Sequence, residues 1–132
     1  MTDLTVNNEM EAHALDWIAT QQKIMQQDLW TLAEINSGSY HVEGVNKVAD
    51  TLAQWSQKLD CEVEFIDLPP HDVVDDSGQL NQKPLGRALR LFKRPQAPTQ
   101  VFLCAHMDTV FPIDHPFQKI SHLEDDIING PG

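Results

Sequence analysis

Apolar positions recur every three or four residues from Met10 to Ile35, at Ala14, Leu15, Trp17, Ile18, Met25, Leu29, Leu32 and Ala33, and this spacing predicts an amphipathic helix. Trp17 and Trp30 fall at helical spacing and are expected in the core. The middle of the run, Thr20-Gln21-Gln22-Lys23, is wet, so one end of the helix is expected to face solvent. Asn36-Ser37-Gly38-Ser39 supplies the stop, with Gly38 suited to a left-handed conformation. Residues 1 to about 9 are polar and are expected to fray. Glu43 to Leu59 repeats the helical pattern, with Val45, Val48, Ala49, Leu52, Ala53 and Leu59 on one face.

The period then changes. Cys61-Glu62-Val63-Glu64-Phe65 alternates apolar and acidic residues, which predicts a strand with one wet face near a sheet edge. Pro69 to Pro84 holds Asp72, Asp75, Asp76, Ser77, Gly78 and Asn81 and reads as a solvated loop; its aspartates lack the alternation and terminal Glu of a calcium loop. Leu85 to Lys93 interleaves Leu89, Leu91 and Phe92 with Arg87, Arg90 and Lys93, an outer strand whose cations discourage pairing. Arg94 to Gln100 is a proline-bearing connector. Val101-Phe102-Leu103-Cys104-Ala105 carries no charge, is too short for a helix and suits a central strand buried on both faces. Phe111 to Phe117 is a loop stiffened by Pro112 and Pro116, with His115 and His122 read as loop histidines. Phe117 to Ile120 and Asp126 to Ile128 are expected to be extended around a turn at His122-Leu123-Glu124-Asp125.

The central run ends on His106-Met107-Asp108. Side chains at i and i+2 of an extended segment point the same way, about 6.5 Å apart along the chain. In open α/β sheets ligands gather at the carboxyl ends of strands. A metal-ligating imidazole usually gives its other ring N–H to a carboxylate, which fixes the tautomer. His106 is therefore the candidate metal ligand and Asp108 its orienting carboxylate. A bare His-x-Asp is more often a structural histidine beside a turn carboxylate.

Leu103-Cys104-Ala105-His106-Met107-Asp108-Thr109-Val110-Phe111-Pro112 resembles the metal-site signature of the zinc metallopeptidases that include glutamate carboxypeptidase, aminoacylase, acetylornithine deacetylase and succinyl-diaminopimelate desuccinylase. Asn129-Gly130-Pro131-Gly132 resembles the turn that in this family precedes an aspartate bridging two zinc ions. Ile35-Asn36-Ser37-Gly38-Ser39-Tyr40, Glu43-Gly44-Val45 and Val48-Ala49-Asp50 resemble its first helix-loop-helix. The resemblance implies an α/β fold, the amino-terminal part of a three-layer α/β/α zinc-exopeptidase-like catalytic domain with a mixed, mostly parallel sheet. Residues 1–132 would be one incomplete catalytic domain, with no second domain present. It further implies hydrolysis of peptide or N-acyl amide bonds at a two-zinc site, with cobalt or manganese as substitutes. His106 would be a metal ligand and Asp108 a catalytic residue. The bridging aspartate, a general-base glutamate and the other ligands would come after Gly132. Since a catalytic zinc takes about three protein ligands, the 132-residue chain alone is expected to be inactive.

Composition narrows the partners. A net charge of −11 disfavours nucleic acid and anionic membranes. The resemblance, in turn, implies a small peptide or N-acyl amino acid as substrate and a homodimer for the longer protein. With 41% hydrophobic and 22% charged residues, the chain is expected to fold rather than stay disordered. Cys61 and Cys104 are expected as free, buried thiols inside strands. The amino terminus lacks a basic region followed by an apolar one, so a cytoplasmic location is expected. The rival reading is a truncated, non-catalytic α/β module that acts by protein–protein association through sheet edges.

Overall fold

A computed structural model describes residues 8–124 and 127–132, and the chain divides into two compact units, Met1–Leu32 and Ala33–Gly132. The expected fraying of residues 1–9 lies mostly outside the described residues. The single expected helix is two, α1 (Asn8–Thr20) and α2 (Gln22–Ala33). At the break, the Thr20 hydroxyl donates to the Trp17 carbonyl at 2.6 Å and Gln21 N–H donates to Ile18 O at 2.9 Å. A polar β-branched side chain bonding its own helix carbonyl competes with the helical ladder, and the tighter bond closes the turn. Trp17 is 64% exposed rather than core, and Trp30 is half-buried.

In the second unit, α3 (Val42–Ser56) follows the expected spacing and buries Val45, Val48 and Ala49. These residues, with Ala33 and Ile35, are its apolar core. The helix tightens into a 3₁₀ turn at Gln57–Leu59, and Asp60 takes a left-handed φ of 50°. Leu59 stays outside the core. Strand β1 (Glu62–Ile66) pairs antiparallel with β4 (Ala88–Phe92), from Glu62 opposite Phe92 to Ile66 opposite Ala88. The pair is docked on α3 by Arg87. Its N–H donates to Asn46 Oδ1 at 2.8 Å and its guanidinium meets Asp50 at 2.9 Å and lies 4.3 Å over the Phe65 ring.

Where a solvated loop was expected, β2 (His71–Val74) and β3 (Leu80–Lys83) form an antiparallel hairpin. Asp75 builds its turn. The carboxylate accepts from Ser77 N–H at 2.9 Å, Ser77 Oγ at 2.6 Å, Gln79 N–H at 3.0 Å and Asn81 Nδ2 at 2.9 Å. The Ser77 hydroxyl, and then the backbone and amide donors, pull the Asp75 pKa down from 3.8 to about 2. A carboxylate whose folded pKa is depressed stabilises the turn above its unfolded pKa and loses that contribution as pH falls through the folded value. Ser77 and Gln79 amides should therefore stay protected from exchange at pH above 3.8 and lose protection as the pH falls toward 2; Asp75→Ala should abolish the pH step. A flat profile in both proteins would remove the carboxylate from the turn.

The coarse α/β assignment stands, but the mostly parallel sheet does not. Among the described residues the strands make three separate antiparallel pairs, the third being β5 (Ser121–Glu124) with β6 (Ile127–Asn129). His122 is thus in a strand, and the turn expected at His122–Asp125 begins no earlier than the end of β5; Asp125 and Asp126 lie outside the described residues. Val101–Ala105 belongs to no strand. Val101, Phe102 and Leu103 are 79%, 89% and 88% exposed, and Cys104 is an exposed free thiol. A run buried on both faces needs neighbours on both edges and layers above and below, and the described residues supply none of these to it. Among the described residues, no helix is long and apolar enough to cross a membrane.

Candidate functional site

The site begins with a tie between two distant segments. Thr109 N–H donates to Ser37 O at 2.9 Å and Ser39 N–H donates to Thr109 O at 3.2 Å, making a parallel bridge of Gly38 with Thr109. The Thr109 hydroxyl donates to Pro131 O at 3.0 Å, and Gly132 N–H reaches Ala33 O at 3.2 Å, so the Gly130–Gly132 turn also packs here. Gly38 is needed for closeness rather than handedness. Its added Cβ would lie 2.4 Å from Phe111 O, while the glycine with positive φ is Gly78 in the hairpin turn.

This tie presents Asp108. The Ser39 hydroxyl donates to Asp108 Oδ2 at 2.5 Å, leaving Oδ1 for its neighbour. His106 Nδ1 lies 2.8 Å from the Asp108 backbone carbonyl and 3.3 Å from Asp108 Oδ1. Both partners are acceptors, so Nδ1 must carry the proton. In the neutral ring the Nε2 lone pair is then available, and the side chain is 83% exposed. The spacing of His106 and Asp108 suggested the carboxylate as the orienting group; the nearer partner is the backbone carbonyl of the same residue.

Ser39 is the residue that sequence reasoning missed. It stands 69 positions from Asp108, and only its place in a helix-stopping Ser-Gly-Ser marked the segment. Ser39→Ala should loosen the carboxylate and lower the fraction of His106 rings with the proton on Nδ1, read from long-range proton–nitrogen couplings. An unchanged tautomer ratio would mean that the backbone carbonyl alone sets the ring.

A cleft of about 490 Å³ opens beside His106, lined among others by Tyr40, Leu68, His71, Leu85 and Met107. No family model, curated protein or solved structure matches the chain. His106 Nε2 fits one position of a zinc site, since neutral imidazole is a good ligand for that ion. Among the described residues no three His, Cys, Asp or Glu side chains come together as a metal-holding group. Hence the described residues do not by themselves close a zinc site. His115 is engaged elsewhere, its Nδ1 accepting Phe117 N–H at 3.1 Å and its ring 4.9 Å from Phe111.

Proposed function

We propose that this chain contributes to a metal-dependent hydrolase of peptide or N-acyl amide bonds, with His106 as one zinc ligand and Asp108 steadying its ring. One observation carries the reading: an exposed imidazole on the lining of a cleft has its Nδ1 2.8 Å from the Asp108 backbone carbonyl and 3.3 Å from Asp108 Oδ1, so that in the neutral ring the Nε2 lone pair is left for a metal. That tautomer is the one an Nε2 metal ligand needs. When bound, a zinc pair polarises an amide carbonyl and supplies hydroxide near neutral pH. The remaining ligands, the bridging aspartate and the general base would come from chain beyond Gly132. The resemblance to the zinc metallopeptidases points the same way, and so does the bare 101–105 segment, which a three-layer α/β/α domain would cover with further strands and helices. A homodimer and a cytoplasmic setting belong to the same proposal.

The test is zinc or cobalt titrated against a chain extended past Gly132. His106 Nε2 should shift on metal addition, and His106→Ala should cut hydrolysis of N-acyl amino acids by about a hundredfold or more, as befits the loss of a metal ligand. The 132-residue chain alone should show no turnover. A longer chain whose His106 signals ignore the metal would sink the assignment. A second reading, a non-catalytic module working through association, is favoured by the exposed Val101-Phe102-Leu103 segment.

A further inference from the structure

Asn129 is the last residue of β6, and Gly130 opens the turn that packs beside Thr109. An asparagine side-chain amide is open to attack by the next main-chain nitrogen when that nitrogen is unhindered and neither group is tied down. Here Gly130 puts no Cβ beside the nitrogen, and Asn129 is exposed. Among the described residues neither the Asn129 side chain nor the Gly130 N–H makes a hydrogen bond. The other asparagine side chains described are held. Asn36 is 8% exposed and its Oδ1 accepts Gly38 N–H at 3.1 Å, Asn46 Oδ1 accepts Arg87 N–H at 2.8 Å, and Asn81 Nδ2 donates to Asp75 Oδ2 at 2.9 Å. Each of these is followed by a residue with a side chain, Ser37, Lys47 and Gln82 in turn.

We propose that Asn129-Gly130 is a deamidation site, and that its isoaspartyl product releases the turn from Thr109. The Gly130 nitrogen attacks Asn129 Cγ. An N–Cγ bond forms, the Cγ–Nδ2 bond breaks, and Nδ2 leaves as ammonia with the proton given up by the Gly130 nitrogen. Water then opens the cyclic imide. Cleaving the new N–Cγ bond gives aspartate on a normal main chain, whereas cleaving the bond to the Asn129 backbone carbonyl carbon gives isoaspartate, whose main chain is one carbon longer. The turn has little slack for that carbon. Pro131 is fully buried and its carbonyl accepts the Thr109 hydroxyl at 3.0 Å, Gly132 N–H donates to Ala33 O at 3.2 Å, and a Cβ on Gly130 would stand 2.9 Å from that same oxygen. The longer chain therefore draws Pro131 off Thr109, whose own N–H is bonded to Ser37 O. The reaction needs no metal and stands apart from the hydrolase reading.

The experiment ages the 132-residue chain near neutral pH, folded and in urea, and follows acid formation at each asparagine by peptide mass spectrometry. Folded Asn129 should convert within about tenfold of its rate in urea, and ahead of Asn36, Asn46 and Asn81. A folded rate below that range, or acid appearing first at another of these asparagines, would overturn the site. The isoaspartyl fraction, separated by reversed-phase chromatography and refolded, is then compared with Asn129→Asp, which carries the same added charge on a main chain of normal length. Protection of the Thr109 amide from exchange should fall about tenfold in the isoaspartyl chain and hold in Asn129→Asp. Unchanged protection in the isoaspartyl chain would refute the release, and an equal loss in Asn129→Asp would assign it to charge instead. Asn129→Gln, which would have to close a larger ring, should keep its Thr109 protection on ageing; a loss there would trace the effect to another position.

Discussion

Gly44→Ala should lower the thermal midpoint of the second unit by roughly 10 °C, against the rule that alanine is the better helix former by about 1 kcal/mol. Gly44 lies in the first turn of α3, and a Cβ there would stand 1.9 Å from the Asn36 carbonyl oxygen and 2.6 Å from His41 Nδ1. Real Cβ contacts essentially never fall under 3.0 Å, and the nearest atom is backbone, which no rotamer change can move away. Overpacking of this kind costs about 1–3 kcal/mol and outweighs the propensity gain. The same carbonyl accepts from His41 Nδ1 at 2.8 Å, and the Asn36 side chain accepts Gly38 N–H at 3.1 Å. Displacing Asn36 therefore disturbs the Ser37–Ser39 segment that holds Asp108. Circular dichroism melts decide the matter, and a midpoint equal to or above the parent's would mean that Asn36 does not approach α3 so closely in solution.

Changing Phe102 and Leu103 together to serine should abolish concentration-dependent association while leaving the melting temperature nearly untouched. Both side chains are almost fully exposed, so their removal sacrifices little intramolecular burial. An apolar segment whose backbone belongs to no sheet can pair with another strand. The parent chain should sediment as larger species with rising concentration and the double variant should not. Discrete oligomers would favour the association reading, and a heterogeneous distribution would favour a segment that further strands of the same protein normally cover. A parent chain that stays monomeric throughout would refute both.

Physical reasons separate the legible parts of the sequence from the rest. Val45, Val48 and Ala49 meet the core because a helix's own period decides which face is buried. Strands β1 and β4 fall within a few residues of the expected ranges for the same reason, a period of two. Strands β2 and β3 did not show because their four-residue runs bury almost nothing, and a side chain, Asp75, makes the turn. An apolar run such as Val101–Ala105 specifies that it wants cover, and nothing in the letters says whether the cover is at hand. At the site, the His106–Asp108 relation was readable because it is local. The grip of Ser39 on Asp108 and the place of His71 in the cleft were not, because both depend on how remote segments are brought together.

The Ser37–Thr109 tie joins positions 72 residues apart. Closing a loop of that length carries an entropic penalty of roughly 4 kcal/mol, which locally formed helices and hairpins reduce by shortening the free chain. The grip of Ser39 on the Asp108 carboxylate thus depends on that closure, whereas the contact of His106 with Asp108 does not. A short synthetic peptide spanning the signature would hold both His106 and Asp108, whose contact is local, and would lack the Ser39 hydroxyl that grips the carboxylate.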